Sequence, residues 1–446
     1  MGMVWAIASA IGPVLGGVFT SKVTWRWCFY VNLPISGAGM AILVFVLKLH
    51  NPRTPIRKGL AAVDWLGSLT VIGGTLMILL GLELGGVSQP WSSATVICLL
   101  VFGVVTAGLF VLVEWKVAEF PIIPLRIFSS LSSIASLGVC AVQSFVFISG
   151  SYYLPLYFQA VLGASPLLSG LYALPFALSL SGISALTGLF IRKTGKYLPC
   201  ILFGMATMTL GFGLFIDLEQ ELNLTKVILY QIVAGLGVGP NFQAPLIALQ
   251  STVLPRDIGS ATGTFGFTRQ LFTSISVVVG GVVFQNQMQN QYPTLVEELG
   301  PKTASLLSGH NAASNVAAVA ELQGREGEIA RGAYLKALRT MYILYVAFSG
   351  LGLVMSLFVG SRKLSKDHEE QKTGLEAMRR ANADAGGGRR GWRGGKKDDK
   401  EEGKDSEAVR QTFESTTDEE KGIELGGGDR LTGENRAGDG PGASTK

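Results

Sequence analysis

Long apolar runs dominate the chain up to about Gly360, and short polar stretches separate them. They lie at approximately residues 3–21, 27–48, 66–84, 95–115, 132–153, 168–191, 198–217, 226–248, 260–284 and 339–360. A run of about 18 or more apolar residues is long enough to cross a bilayer as a helix. Lipid offers no partner for backbone amides, so such runs must be helical. The pattern predicts an all-α polytopic membrane protein of about ten transmembrane helices. Pro and Gly inside the runs are tolerated where neighbouring helices re-satisfy the backbone. "GVGPNFQAP" in the eighth run predicts a broken helix, a form that often marks a transport site.

Two segments depart from this rhythm. Residues 285–338 are expected to form a long external loop, with "VAAVAELQGREGEIARGAYLKALRT" as a surface helix. Residues 362–446 hold too little apolar material to bury a core and are expected to be a disordered cytosolic tail. The RGG-like piece "GGGRRGWRGGKKDDKEEGKD" mixes acids with bases around a single Trp, which argues against nucleic-acid binding.

Charge orients the runs. "KLHNPRTPIRKG" and "RKTGKY" are basic, "GGVSQPWSSA" is uncharged and "DLEQELNLT" is acidic. The positive-inside rule places the basic loops in the cytosol. "SRKLSK" after the last run places the C-terminus there too, and an even number of spans returns the N-terminus to the same side. Asp64, just before the third run, is expected as a helix cap. Trp25, Trp27, Tyr30, Trp65, Trp91 and Trp115 stand at run ends, as belt anchors do.

Composition narrows the class. Of 446 residues 48% are hydrophobic and 15% charged, against about 25% charged in soluble domains. The four cysteines (Cys28, Cys98, Cys140, Cys200) are scattered, and the three histidines (His50, His310, His368) fall in loops or tail, so no metal or redox site is expected. No GxxxxGK[ST] loop supports ATP drive. The first run has no charged leader and leads straight into a second, so a cleaved signal peptide is not expected. An enzyme is excluded, and no cofactor is implied. "NLT" at Asn223 is a glycosylation sequon on an external loop, close to the membrane.

"AIASAIGPVLGGVF" resembles the fifth-helix signature gxxxGPxxGG of major facilitator drug antiporters. Gly12, Pro13, Gly16 and Gly17 match, and Ala8 stands for the first Gly. "WRWCFYVNLPI" is similar to the sequence that follows this signature in the fourteen-span drug:proton antiporter branch. "DWLG" at Asp64, "EFPIIPLRIF" at Glu119, "YYLPLYFQAVLGASPLLSGLYALP" at Tyr152 and "YQIVAGLGVGPNFQAPLIALQS" at Tyr230 extend the likeness along the hydrophobic part. In "GLFIRKTGKY" the loop motif is met at Gly188, Lys193, Gly195 and Lys196, with Arg192 where the family has an acid; Gln231 replaces the Arg of a fourth-helix motif.

The resemblance implies a major facilitator-type bundle holding helices five to fourteen of a fourteen-helix plan. Residues 1–50 would then be two helices of an N-terminal bundle. Residues 51–130 would be an extra central pair, 131–361 a C-terminal six-helix bundle and 362–446 the tail. It also implies efflux of small amphipathic or hydrophobic compounds (drugs, toxins, secondary metabolites) by proton antiport and alternating access. The partners would be substrate, protons and the bilayer; the chain would act as a monomer, in the plasma membrane in preference to the vacuolar one. Because helices one to four are missing from the plan, a transport-incompetent fragment is an alternative, and a membrane receptor or sensor is another. Gly12, Pro13, Gly16 and Gly17 would form a bend and a tight seam that gates the path; ordinary helix packing is the plainer reading. Gln143, Gln231, Asn241 and Gln243 are candidate cavity amides, though amides equally bridge helices. Arg269, inside the ninth run, is either functional or a snorkelling cation. Glu83 and Glu114 at run ends are expected at the interface. Asp257 is expected as a cytosolic gate or cap.

Overall fold

A computed structural model of the chain describes residues 2–46, 56–85, 88–118, 121–309 and 311–362. The tail from residue 363, most of the first basic loop, and His50, Glu119, Phe120, His310 and His368 lie outside the described residues. The helices are α1 (Gly2–Lys22), α2 (Trp27–Tyr30), α3 (Asn32–Val46), α4 (Ile56–Ala61), α5 (Trp65–Leu84), α6 (Ala94–Lys116), α7 (Leu131–Leu156) and α8 (Pro166–Tyr172). They continue as α9 (Leu174–Thr194), α10 (Leu198–Leu214), α11 (Leu224–Val238), α12 (Ala244–Gln250), α13 (Ile258–Leu306), α14 (Asn311–Ser314), α15 (Val316–Glu321) and α16 (Gly324–Ser356). Among the described residues nine segments are long and apolar enough to cross a membrane. The 21-residue α1 stands beside them, where the first apolar run predicts a helix.

Local sequence explains the helix ends. Asp64 caps α5, its Oδ1 accepting the Gly67 N–H at 2.7 Å, as expected. Ser165 caps α8 with Pro166 in the first turn. Gly195 ends α9 in the left-handed region (φ 68°), and its N–H closes on Ile191 O; this gives the loop-motif glycine a backbone reason. Asn223 caps α11 by accepting the Lys226 N–H, so the sequon lies at a helix start with its amide oxygen engaged.

The core sits in α7 to α16. There α7 packs against α13 and α16, α10 against α11 and α16, and α9 against α11. Glycine sets the α10–α11 distance. A Cβ on Gly211 would strike Ala234, and one on Gly237 would strike the Met208 backbone. Small residues let helix backbones approach where lipid supplies no hydrophobic drive. The hairpin α5–α6 meets the core through α13, and α1 lies on α8 and α9. No residue of α3 is buried.

The helix ends that the charge pattern assigns to the cytosol share one face. Tyr197, before α10, donates to Gly360 O at 2.8 Å and receives the Arg362 N–H at 3.0 Å. Arg362 reaches Ser251 O after α12, and Gly360 N–H reaches Ser132 Oγ at the start of α7. Asp257 binds Arg126 of the "PLRIF" link here, so its carboxylate joins two segments distant in sequence. Glu114 is not left at an interface: it is buried and accepts the N–H groups of Ile122 and Ile123, closing the link after α6.

At the opposite face the chain differs from the loop expected for residues 285–338. There α13 runs on to Leu306 with a kink at Gly300 (φ 77°), and α16 starts at Gly324. At about 1.5 Å per residue, the stretch before the kink is about 63 Å long, roughly twice a hydrocarbon core of about 30 Å. The segment is polar yet rich in helix formers, and it buries Leu295, Ala304, Leu307, Ala312 and Val319. Tyr334 Oη donates to Ala312 O, and Arg339 donates to Leu218 O. The result is a small helical cap rather than a loop. The surface helix expected from Val316 onward is present as α15 and the first turns of α16.

Gly237→Val is expected to lower stability by about 1–3 kcal/mol or more by forcing α10 and α11 apart. A fall in the thermal midpoint of the detergent-purified chain measures it. Gly17 and Gly12 provide a contrast of sign. A Cβ on Gly17 would stand 2.9 Å from Leu167 Cα and 3.1 Å from Pro166 O, whereas one on Gly12 meets nothing within 4 Å. Gly17→Ala should therefore destabilise by about 1–3 kcal/mol. Gly12→Ala should be neutral or stabilise by up to about 1 kcal/mol through helix propensity.

Candidate functional site

A cavity of about 560 Å³ opens between α1 and the helices α7, α8 and α9. Gly16, Gly17 and Thr20 of α1 form one wall. Phe147, Gly150, Ser151 and Pro155 of α7 face them, with Ser169 and Gly170 of α8 and Phe176 of α9. Its wall is mainly apolar, with scattered hydroxyls and one amide, Gln159.

The local sequence makes this space. Pro155 interrupts α7, and residues Tyr157–Val161 widen into a π-helical turn in which Leu162 N–H reaches back to Tyr157 O. Such turns are rare and recur at functional sites. Ser169 Oγ approaches Pro155 O at 3.4 Å, and Gln159 Nε2 approaches Ser169 Oγ at 3.4 Å. A distorted turn and a helix restart thus hold α8 away from α7 and leave the cavity. On α1 the signature glycines divide their work. Gly17 touches the α8 backbone, Gly16 lines the cavity, and Gly12 meets open space. Pro13 lies within continuous α1.

The structure does not bring Gln143, Gln231, Asn241 or Gln243 to the wall of this cavity. Gln231 is buried and donates through Nε2 to Tyr172 O and Val227 O, both at 2.9 Å. It thereby joins α11 to the last residue of α8. Asn241 is buried and donates to Gly237 O at 3.1 Å within the break at Gly239–Phe242. Gln243 follows the break and is half-buried. Gln143 is buried on α7, with Ser144 Oγ 3.4 Å from its Oε1. One amide atom of each buried residue has no partner among the described residues: Gln143 Nε2, Gln231 Oε1 and Asn241 Oδ1. A buried unmade hydrogen bond costs about 1–3 kcal/mol.

Arg269 does not snorkel. It turns inward from α13, donates to Phe242 O at 2.7 Å, and lies 5.0 Å from each of the Phe242 and Phe265 ring centroids. It thereby ties α13 to the broken helix. The loop-motif residues Gly188, Arg192 and Lys196 are exposed at the end of α9 and in the loop after it. No group of His, Cys, Asp and Glu fit to hold a metal occurs among the described residues. The cavity residues that sequence reasoning missed are Thr20, Ser151 and Ser169. Their one legible signal is their place beside Gly17 and within "SYYLPLYFQAVLGASPLLSG", where Pro and Gly crowd a helix.

The family described as the Major Facilitator Superfamily matches residues 1–277. The chain is 52% identical over 381 residues to the efflux pump dotC of Dothistroma septosporum, covering 85% of this chain and 65% of that protein. It is 46% identical over 379 residues to the MFS-type transporter ppz2 of Metarhizium majus, covering 84% and 65%. An MFS-type transporter of Aspergillus terreus is 37% identical over 400 residues, covering 85% and 72%. The chain therefore spans just under two thirds of the length of dotC and ppz2. Its apolar helices make it a multi-pass integral membrane protein, and the matched region is more than half of its length. The chain belongs to the major facilitator superfamily, a family of transporters rather than enzymes.

Proposed function

We propose that the protein exports small amphipathic or hydrophobic compounds across a membrane, by alternating access around the cavity between α1 and α7–α9. One observation carries the reading: the signature glycines Gly16 and Gly17 form a wall of the 560 Å³ cavity, where α1 meets the helices assigned to the second bundle. A seam of small residues lets α1 and α8 slide without interlocking side chains. The mixed wall of rings and hydroxyls suits compounds with an apolar body and few polar groups. The names of the relatives support outward transport. Proton drive is part of the proposal, as are a monomeric state, the plasma membrane and a cytosolic tail. In this reading Gln143, Gln231 and Asn241 present their unpartnered atoms to substrate or water in a state where the helices have moved, beside Gln243. Gly188, Arg192, Gly195 and Lys196 form the cytosolic turn, and Asn223 is the glycan acceptor.

A second reading is that the chain as written does not transport alone. The fully uncovered surface of α3 favours it, because a span with no buried residue contributes nothing to an enclosed path.

Both readings are tested in a yeast host lacking its own drug pumps, loaded with rhodamine 6G. Export above the empty-vector level, abolished by a protonophore and reduced several-fold by Gly17→Leu, is the expected outcome. Properly inserted chain with no export above vector would overturn the first reading in favour of the second.

A further inference from the structure

A second cavity of about 310 Å³ lies under the helical cap, between α5, α7 and α13, with Ala313 and Val316 at its cap side. Its polar groups are Glu83 of α5, Tyr152 and Tyr153 of α7, Gln159 of the π-helical turn and Gln285 of α13. Among the described residues no Lys, Arg or His lines it. Glu83, an exposed residue, occupies the last turn of α5, where the helix dipole disfavours a carboxylate. It has no hydrogen bond or ion pair among the described residues. Gln285 Oε1 is buried and also has no partner there. The Tyr153 hydroxyl is already committed to Val277 O at 3.0 Å, and the Tyr152 and Tyr153 rings meet edge to face at 5.1 Å.

The cavity therefore offers a negative charge, an unfilled acceptor and aromatic rings, with apolar Val277, Val278 and Phe284 around them. Anions find no donor charge among the described residues there. A neutral compound would leave the carboxylate unneutralised. A permanent quaternary cation would satisfy Glu83 but has no N–H for Gln285. A protonated amine satisfies both groups and gains from the rings.

We infer that this cavity is a binding site for amphipathic protonated amines, with Glu83 pairing the ammonium and Gln285 Oε1 accepting its N–H. Gln159 borders both cavities, which makes the site a second station on one path. Only that role rests on the transporter reading; the binding chemistry does not.

Equilibrium binding separates the two. The full chain in phosphatidylcholine nanodiscs is titrated with tritiated propranolol, a protonated secondary amine, against empty nanodiscs. Its neutral analogue with hydroxyl in place of the amine should compete at least tenfold less well. Glu83→Gln should weaken propranolol binding by about tenfold, equivalent to about 1.4 kcal/mol. Gln285→Leu should weaken propranolol but leave binding of tetraphenylphosphonium, which has no N–H, unchanged. Equal competition by the neutral analogue would overturn the inference, and so would wild-type affinity in Glu83→Gln. The comparison of analogues on the wild-type chain decides the matter even where a variant fails to fold. Amine binding intact without any export would leave this site standing and remove the transporter reading alone.

Discussion

Every backbone amide inside a bilayer must be satisfied by the protein, and the polar residues of this chain follow from that requirement. Where a helix is regular it satisfies itself. Where it breaks, a side chain repairs it. At the break at Gly239–Phe242, Asn241 donates to Gly237 O and Arg269 to Phe242 O. The end of α8 leaves Tyr172 O, which Gln231 fills. At the π-helical turn after α7, Ser169 Oγ approaches Pro155 O. Most of the described intramembrane polar groups are thus explained before any ligand is considered. Among those that remain are the unpartnered amide atoms of Gln143, Gln231, Asn241 and Gln285.

The same breaks create the space that the function needs. A π-helical turn and a helix restart hold α8 off α7, and the cavity is what they leave. Glycine does the complementary work. Gly211 and Gly237 clamp α10 to α11, while Gly17 lets α1 approach α8 without knitting to it. One contact is locked by packing inside the core; the other joins two smooth backbones.

Much of this was legible in the sequence because membrane helices announce themselves. Run length gave the helices, Asp64 its cap, and "GVGPNFQAP" its break. The glycine signature pointed to a seam that the structure places against a cavity. Side-chain roles were harder. An amide on a helix looks the same whether it meets substrate or a stray carbonyl, and only the neighbouring helix decides. Gln231 therefore sits as a bridge to α8 and Asn241 bonds within its own segment, while Thr20, Ser151 and Ser169 carry no signal of their own. The cap was hidden for a different reason. Hydropathy registers only the part of a helix that lies in lipid, so the polar continuation of α13 read as loop although its residues favour helix and bury Leu295 and Ala304.

The central claim is that the cavity beside Gly17 opens alternately to the two sides of the membrane. Its most direct test is thiol accessibility at Ser151, a wall residue, in a chain whose four native cysteines are replaced. Ser151→Cys should react with an impermeant maleimide added to either face of sealed vesicles, and an exported compound should protect it from both. Reaction from one face only, or reaction that such a compound leaves unchanged, would contradict the account.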